Sequence, residues 1–408
     1  MLRRVEVQIG VAHAIVVGAG PIGGYLSRKL NEHGHSVLLL EEHNEIGRPF
    51  QCAGLVNPLA METIGLESSI LTPIWGANIH SPNGKRVSIG DPNVPRTFSV
   101  CRKIFDEAVV MQSIATGTEI LLSTKPISAT IGDEFVEVKI DGSNGSETVL
   151  CKLLCGADGA HSWVRRKFKM GSPTETMIGF QIEVTGYSGD DGVLDMYTGN
   201  GIAPGFFSWA IPTGETTRLG TWSKANLMGG TSSEEFMKRL MNDPNLNTRF
   251  AECSEVGRFC GPVPSGIVSR PLRERVALFG DAAGICKPTT GGGIGPGFRQ
   301  VDILVPLLSK AISDNELNSS RMKIISSELK EMKRDQRKKR ALRDAFLTEM
   351  DDIDLENIFA VWARPEVTDL INEFGDIENP IPLGVKMLRE VPEFRRLAGR
   401  AAKAILWS

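Results

Sequence analysis

His13-Ala-Ile-Val-Val-Gly-Ala-Gly-Pro-Ile-Gly-Gly-Tyr-Leu26 is the stretch that decides the fold. His13 to Val17 form a short apolar run, Gly18 to Gly20 a turn, and the apolar spacing through Leu26 and Leu30 is helical. The next run, His35-Ser-Val-Leu-Leu-Leu-Glu41, does not alternate, as suits a parallel strand covered on both faces. Strand, turn, helix and strand make one βαβ unit. Within it, Gly18-x-Gly20-x-x-Gly23 and the acidic strand end at Glu41 are spaced to hold a dinucleotide. Gly18 permits the tight turn, Gly20 lets backbone approach a pyrophosphate, and Gly23 lets helix and strand touch. The helix N-terminus favours the phosphate charge, and Glu41 is placed to accept ribose hydroxyls. This unit alone leaves NAD and FAD both open.

The chain has 408 residues, enough for two or three domains. Forty-six basic against 49 acidic residues give a net charge of −3, which excludes the chain-wide basic field of a nucleic-acid binder. Seven cysteines, odd in number and without a Cys-x-x-Cys pair, read as reduced thiols; no zinc or iron-sulfur site is written, and no metal is expected. No apolar run is long enough to span a membrane. Arg3, Arg4, Glu6 and Gln8 break up any secretory signal, so the chain reads as cytoplasmic.

The pattern changes at Pro73, where short strands are punctuated by Ser81-Pro-Asn-Gly84 and Asp91-Pro-Asn. Helical spacing returns over Arg102 to Ala115, strands follow from Glu119 to Gly156, and alternation resumes over about 176–256 around a helix from Ser233 to Met241. Arg275 to Asp281 is a further buried strand, and a helical pattern runs on to Ile312. The expected architecture is α/β: a discontinuous Rossmann-like cofactor-binding domain (1–72, 97–175, 257–345), an antiparallel-sheet substrate domain (73–96, 176–256) and a helical C-terminal region (346–408). Residues 321–343, rich in Lys and Arg, read as a solvated helix.

Two further segments carry a resemblance. Cys155-Gly156-Ala-Asp158-Gly159-Ala-His-Ser162-x-Val-Arg165 resembles the Asp-Gly motif of flavoprotein hydroxylases and reductases, and Ala277-Leu-Phe-Gly280-Asp281-Ala-Ala-Gly284 resembles their Gly-Asp motif. The order of the three motifs implies FAD and the two-domain glutathione-reductase-like class, with Asp281 on the ribityl chain and Arg102 near the flavin's phosphate and ribityl region. Pro288-Thr-Thr-Gly291-Gly292-Gly293-Ile294 opens a helix, whose free N–H groups offer positive potential to a reduced flavin. Gly47-Arg-Pro-Phe-Gln-Cys52-Ala53-Gly54 and Pro204-Gly-Phe206-Phe207-Ser-Trp209-Ala-Ile-Pro212 are similar to the cysteine segment and the substrate signature of geranylgeranyl reductases, which saturate isoprenoid double bonds. Phe207 and Ile211 replace that signature's tyrosine and phenylalanine.

The resemblance implies contacts to FAD from Gly18, Gly20, Pro21, Gly23, Glu41, Glu42, Cys52, Ala53, Arg102, Asp158, Gly159, Gly280, Asp281, Gly291, Gly292, Gly293 and Ile294. Phe206, Phe207, Trp209 and Pro212 would line an apolar tunnel for the isoprenoid lipid, and Cys52 is the candidate catalytic residue, set against its reading as a packed thiol. A nicotinamide cofactor or a ferredoxin is the expected electron donor. Two other readings stay open here: an FAD monooxygenase of the aromatic-hydroxylase type, and a prenyl carrier without chemistry. The C-terminal stretch places Arg395, Arg396, Arg400 and Lys403 among Leu397, Ile405, Leu406 and Trp407, which suits peripheral membrane contact or an ordinary docking helix. Each basic residue near an anionic surface contributes about 1 kcal/mol. Binding to anionic vesicles is therefore expected to be salt-sensitive and to weaken when all four are changed to Gln. Sedimentation of that variant equal to wild type would assign the stretch to packing.

Overall fold

The computed structural model describes residues 11–49, 52–143, 145–375 and 381–394. Its first sheet has eight strands, with the βαβ unit at the centre. Ala12–Val17 lies between Val37–Leu40 and Gly145–Gly156, flanked by Glu119–Leu121 and Val276–Leu278, all parallel. These strands come from separate stretches of chain, so this layer is discontinuous. Ile15, Leu39, Leu40, Leu153 and Leu154 are fully buried, as non-alternating strands between two helical layers must be. The first helix, Pro21–Glu32, packs on Arg102–Ala115 and Ile294–Ser313. It can do so because a side chain at Gly23 would strike the carbonyl of Gly18, while Gly18 itself turns the chain at φ 99°.

The second sheet has seven strands, in the order Ser254–Ser265, Glu175–Thr185, Thr216–Lys224, Ser208–Thr213, Val193–Tyr197, Gly76–His80 and Arg86–Gly90. All neighbours are antiparallel except Val193–Tyr197 beside Gly76–His80. Its register separates two faces. Phe180, Ile182, Ala210 and Leu219 point to one side, where Met237 and Leu240 of the helix Ser233–Met241 cover them. Gln181, Trp209, Arg218, Gly220 and Trp222 share the other, the side of the cofactor loops. A three-stranded sheet of Leu55–Val56, Ile70–Ile74 and Thr97–Val100 lies between the two layers, and the Ser99 hydroxyl donates to the Pro212 carbonyl at 2.8 Å.

Two features differ from the sequence reading. Strand Ser254–Ser265 belongs wholly to the second sheet and runs past the boundary expected at 257. Gly257, Gly261, Pro262 and Pro264 disguise it, and proline is tolerated because this is an edge strand. The basic segment is not one solvated helix but two, Ser319–Ser326 and Lys330–Arg343, and the second buries Met332, Gln336, Lys339 and Arg343. The C-terminal helices Asp352–Trp362, Pro365–Phe374 and Ile381–Glu390 have a small core of their own and touch the second sheet at Ile89. The basic stretch Arg395 to Trp407 lies outside the described residues. Among the described residues no helix is long and apolar enough to cross a membrane.

Arg343 is buried because its charge is answered on every side. Its two terminal nitrogens reach the two oxygens of Glu175 at 2.9 Å each, and it also donates to Asp344 at 2.7 Å and to the Pro288 carbonyl at 2.9 Å. Arg340 adds a bond to Glu175 at 2.9 Å. Burial works against ionisation of Glu175, but the Arg343 and Arg340 guanidiniums win and hold its carboxyl below its ordinary value. The resulting stability is complete above the ordinary glutamate value of 4.5 and is lost as the pH falls through the lowered folded value. Glu175→Gln is expected to cost about 1.5 to 3 kcal/mol near neutrality and to flatten the acid limb of stability. Denaturant titrations of both proteins across that range check this.

Candidate functional site

Glu41 holds the glycine turn in shape. Its Oε2 accepts the Ala19 N–H at 2.9 Å, and its Oε1 accepts from His43 N–H at 3.0 Å and bonds the His43 ring at 2.6 Å. The helix behind the turn begins at Gly20 with no side-chain cap and no acid in its first turn, and a side chain at Gly20 would meet open space. The helix Ile294–Ser313 starts at Gly293 in the same uncapped state. Buried hydroxyls of Thr289 and Thr290, and Oδ1 of Asp158, have no partner among the described residues. Open space at Gly20, two uncapped helix starts and these orphaned polar atoms fit a phosphate-bearing dinucleotide.

The Asp-Gly and Gly-Asp motifs are stitched to each other. Asp158 Oδ2 caps Val164 N–H at 3.0 Å, and Arg165 donates to the carbonyls of Ala160 and Ala282 at 2.6 and 2.9 Å. Gln300, which the motif reading passed over, braces the second turn by accepting from Gly280 N–H and donating to the Leu278 carbonyl, each at 2.9 Å. Burial pushes the Asp158 and Asp281 carboxyls up, and at Asp281 the Cys286 thiol, Arg102 and Arg165 work against that rise. The Cys286 thiol donates to Asp281 Oδ1 at 3.0 Å and is itself raised far above its ordinary value by burial and by that carboxylate. Gly293 is needed beside this pair, since a side chain there would come within 2.8 Å of Asp281 Oδ1.

Arg102 opens its helix and forms a fork with Asp106 at 2.8 and 2.7 Å. Burial opposes its charge, while Asp106 and the neighbouring Cys52 sustain it. Cys52 is thus beside Arg102, and it also accepts the Gly54 N–H at 3.4 Å. The structure brings together Cys52, Arg102, Asp281 and Cys286, from three distant parts of the chain. Cys151 and Cys155 are fully buried in the first sheet, where burial lifts the Cys151 thiol to about 12.

Phe206, Phe207, Trp209 and Trp222 form one cluster with ring centres 4.8 to 6.4 Å apart. Ala53 packs with it. The four rings pack on one another. Phe206 and Trp209 are only 2% and 5% exposed, because Gly220 leaves a hollow that the Trp209 indole fills. Phe207 and Trp222 keep part of their surface. Trp222 also packs into the space over Gly291, so the glycine loop and the aromatic cluster touch directly. Trp222 was legible as the end of the alternation Arg218-x-Gly220-x-Trp222 but lay outside the motifs. Next to Cys52 opens a cleft of about 670 Å³ with a mixed lining that includes His43, Arg48, Gln181, Arg218 and Phe259.

Comparison with known proteins agrees with this geometry. A family model described as FAD binding domain matches residues 11–318. Digeranylgeranylglycerophospholipid reductase of Methanosarcina acetivorans is 32% identical over 294 residues, covering 69% of this chain and 70% of the relative. An uncharacterized protein of Methanocaldococcus jannaschii is 26% identical over 92% of this chain and 95% of its own. Among solved structures, a geranylgeranyl bacteriochlorophyll reductase-like protein from Thermoplasma acidophilum superposes with a TM-score of 0.83 at 21% identity, covering 95% of this chain and 99% of that one. A flavin-dependent brominase superposes with a TM-score of 0.71 at 16% identity, covering 95% and 100%. These likenesses in structure concern the fold.

The cofactor is FAD. Asp281→Ala removes a buried acceptor and leaves the Cys286 thiol unanswered, a loss of about 1 to 3 kcal/mol. FAD retention on dilution, read by absorbance, is expected to fall accordingly, and a variant that holds FAD as wild type does would remove Asp281 from the cofactor site.

Proposed function

The chain belongs to the FAD-binding domain family and, within it, to the geranylgeranyl reductases, and from that premise we propose that it hydrogenates carbon-carbon double bonds in geranylgeranyl chains of isoprenoid lipids or their precursors. The observation that carries this reading is the contact of the Gly291 loop with Trp222, which joins the cofactor site to an aromatic surface without passing through solvent. Bound reduced FAD supplies the hydride. The chain's own residues do the rest. The Gly18 turn, Glu41 and Arg102 hold the cofactor, and the uncapped start of Ile294–Ser313 favours negative charge near Gly291 to Gly293. Phe207 and Trp222 offer their free surface to the prenyl chain and keep water from it, while the buried Phe206 and Trp209 fix their position.

An isolated trisubstituted alkene accepts hydride poorly unless a proton arrives at the neighbouring carbon, so a proton must be held close by. Cys52 Sγ, on the rim of the cleft and near Arg102, is our candidate for that atom. Electrons come from a nicotinamide cofactor or a ferredoxin, and the lipid is met at a membrane surface by peripheral contact. Anaerobic incubation of dithionite-reduced protein with a geranylgeranyl lipid is expected to raise its mass in steps of two hydrogens. Cys52→Ser should keep FAD yet slow those steps. An unchanged lipid would defeat the reading, and unchanged turnover in the variant would return Cys52 to packing.

A further inference from the structure

Arg218 is 3% exposed, yet among the described residues no carboxylate lies within 4 Å of it. Its Nη1 donates to the carbonyls of Ala53 and Val100 at 2.9 and 3.1 Å, which are neutral acceptors. Glu183 stands opposite in the strand register, but it accepts the Thr216 hydroxyl at 2.7 Å and makes no ion pair with Arg218. A buried cation with no ion-pair contact is costly, and burial outweighs the more distant Glu183 to lower the pKa of this guanidinium. Gly54 makes room for it, since a side chain there would strike Nη1. The site is built to keep a guanidinium in place.

Arg218 borders the cleft of about 670 Å³. The other charges there are mostly answered: Glu45 by Lys103, and Arg258 by Glu255 at 2.6 Å. Arg218 also shares a strand face with Gly220 and Trp222. Four residues of strand separate its Cα from that of Trp222 by about 13 Å. One surface therefore has a cationic end at the cleft and an aromatic end at the Gly291 loop.

Resting on the reductase reading, we propose that Arg218 binds the phosphate group of the substrate and so determines specificity for phosphorylated prenyl compounds. The guanidinium fork matches a phosphate in two bonds, and the prenyl chain leaves it toward Trp222. A free prenyl alcohol has nothing to offer the buried charge.

The test is equilibrium binding of geranylgeranyl phosphate and of geranylgeraniol to the oxidised FAD-loaded protein by calorimetry. Arg218→Met is expected to weaken the phosphate about ten- to a hundredfold. The alcohol should bind both proteins alike, the flavin spectrum should not move, and Arg218→Lys should recover part of the loss. Equal effects on the two ligands, or loss of FAD, would overturn the proposal and make Arg218 structural or a cofactor contact. If the Met variant does not fold, wild type decides: glycerol 1-phosphate and inorganic phosphate should each displace geranylgeranyl phosphate. Glycerol 1-phosphate acting at lower concentration indicates a lipid head group, and equal action indicates phosphate alone. Displacement by neither defeats the proposal. Tight binding without reduction would count against the reductase reading and leave Arg218's role standing.

Discussion

The Arg343–Glu175 pair is the constraint on which the site depends. Taking two charges out of water is not stabilising in itself, and a buried pair earns its place by fixing geometry. Here the geometry concerns three parts of the protein. Glu175 begins a strand of the second sheet, Pro288 begins the loop that leads to Gly291, and the Arg343 guanidinium lies 5.6 Å from the centre of the Phe206 ring. One side chain thus joins substrate layer, cofactor loop and aromatic cluster. Directly after it, residues Asp344–Thr348 form a π-helical turn, in which Asp344 also receives Lys224 at 2.9 Å. Such turns widen a helix locally and recur at functional sites.

Glycines set how closely the layers approach. Gly220 admits the Trp209 indole, and the space over Gly291 is filled by Trp222. Large rings against bare backbone exclude water more completely than two ordinary side chains would, because no void is left between them. The price is polar: Trp209 Nε1 and the hydroxyls of Ser208 and Ser223 are buried without partners among the described residues. Groups left unsatisfied at a water-free surface are tolerated where dryness serves the chemistry.

The central layer was legible because its signals are local. Gly18, Gly20, Gly23 and Glu41 fall within one βαβ unit, and the Asp158 and Asp281 motifs each follow a buried strand. The helices Arg102–Ala115 and Ser233–Met241 have the bounds that periodicity gives. What stayed hidden depends on contacts between distant segments. Lys and Arg at helical spacing normally mean solvent, and nothing near Arg343 in the chain announces that Glu175 awaits it. Arg218 sits in a strand whose alternation is plain, but alternation cannot tell which face meets a cleft. Strand Ser254–Ser265 was cut short because its glycines and prolines look like a loop until its edge position is known.

The chemistry also constrains the thiols. Cys286 is a thiol whose burial and neighbouring carboxylate both oppose loss of its proton, so it is a donor and not a nucleophile. Its hydrogen bond goes to Oδ1 of Asp281, so the thiol is held against that carboxylate. The proton that Cys286 keeps therefore orients the carboxylate and is not available to an alkene. Cys52 differs: it is partly exposed, lies near Arg102 and borders the cleft, where its thiol can exchange a proton with solvent. Of the two thiols, then, Cys286 is committed to Asp281, and Cys52 is the one that borders open space.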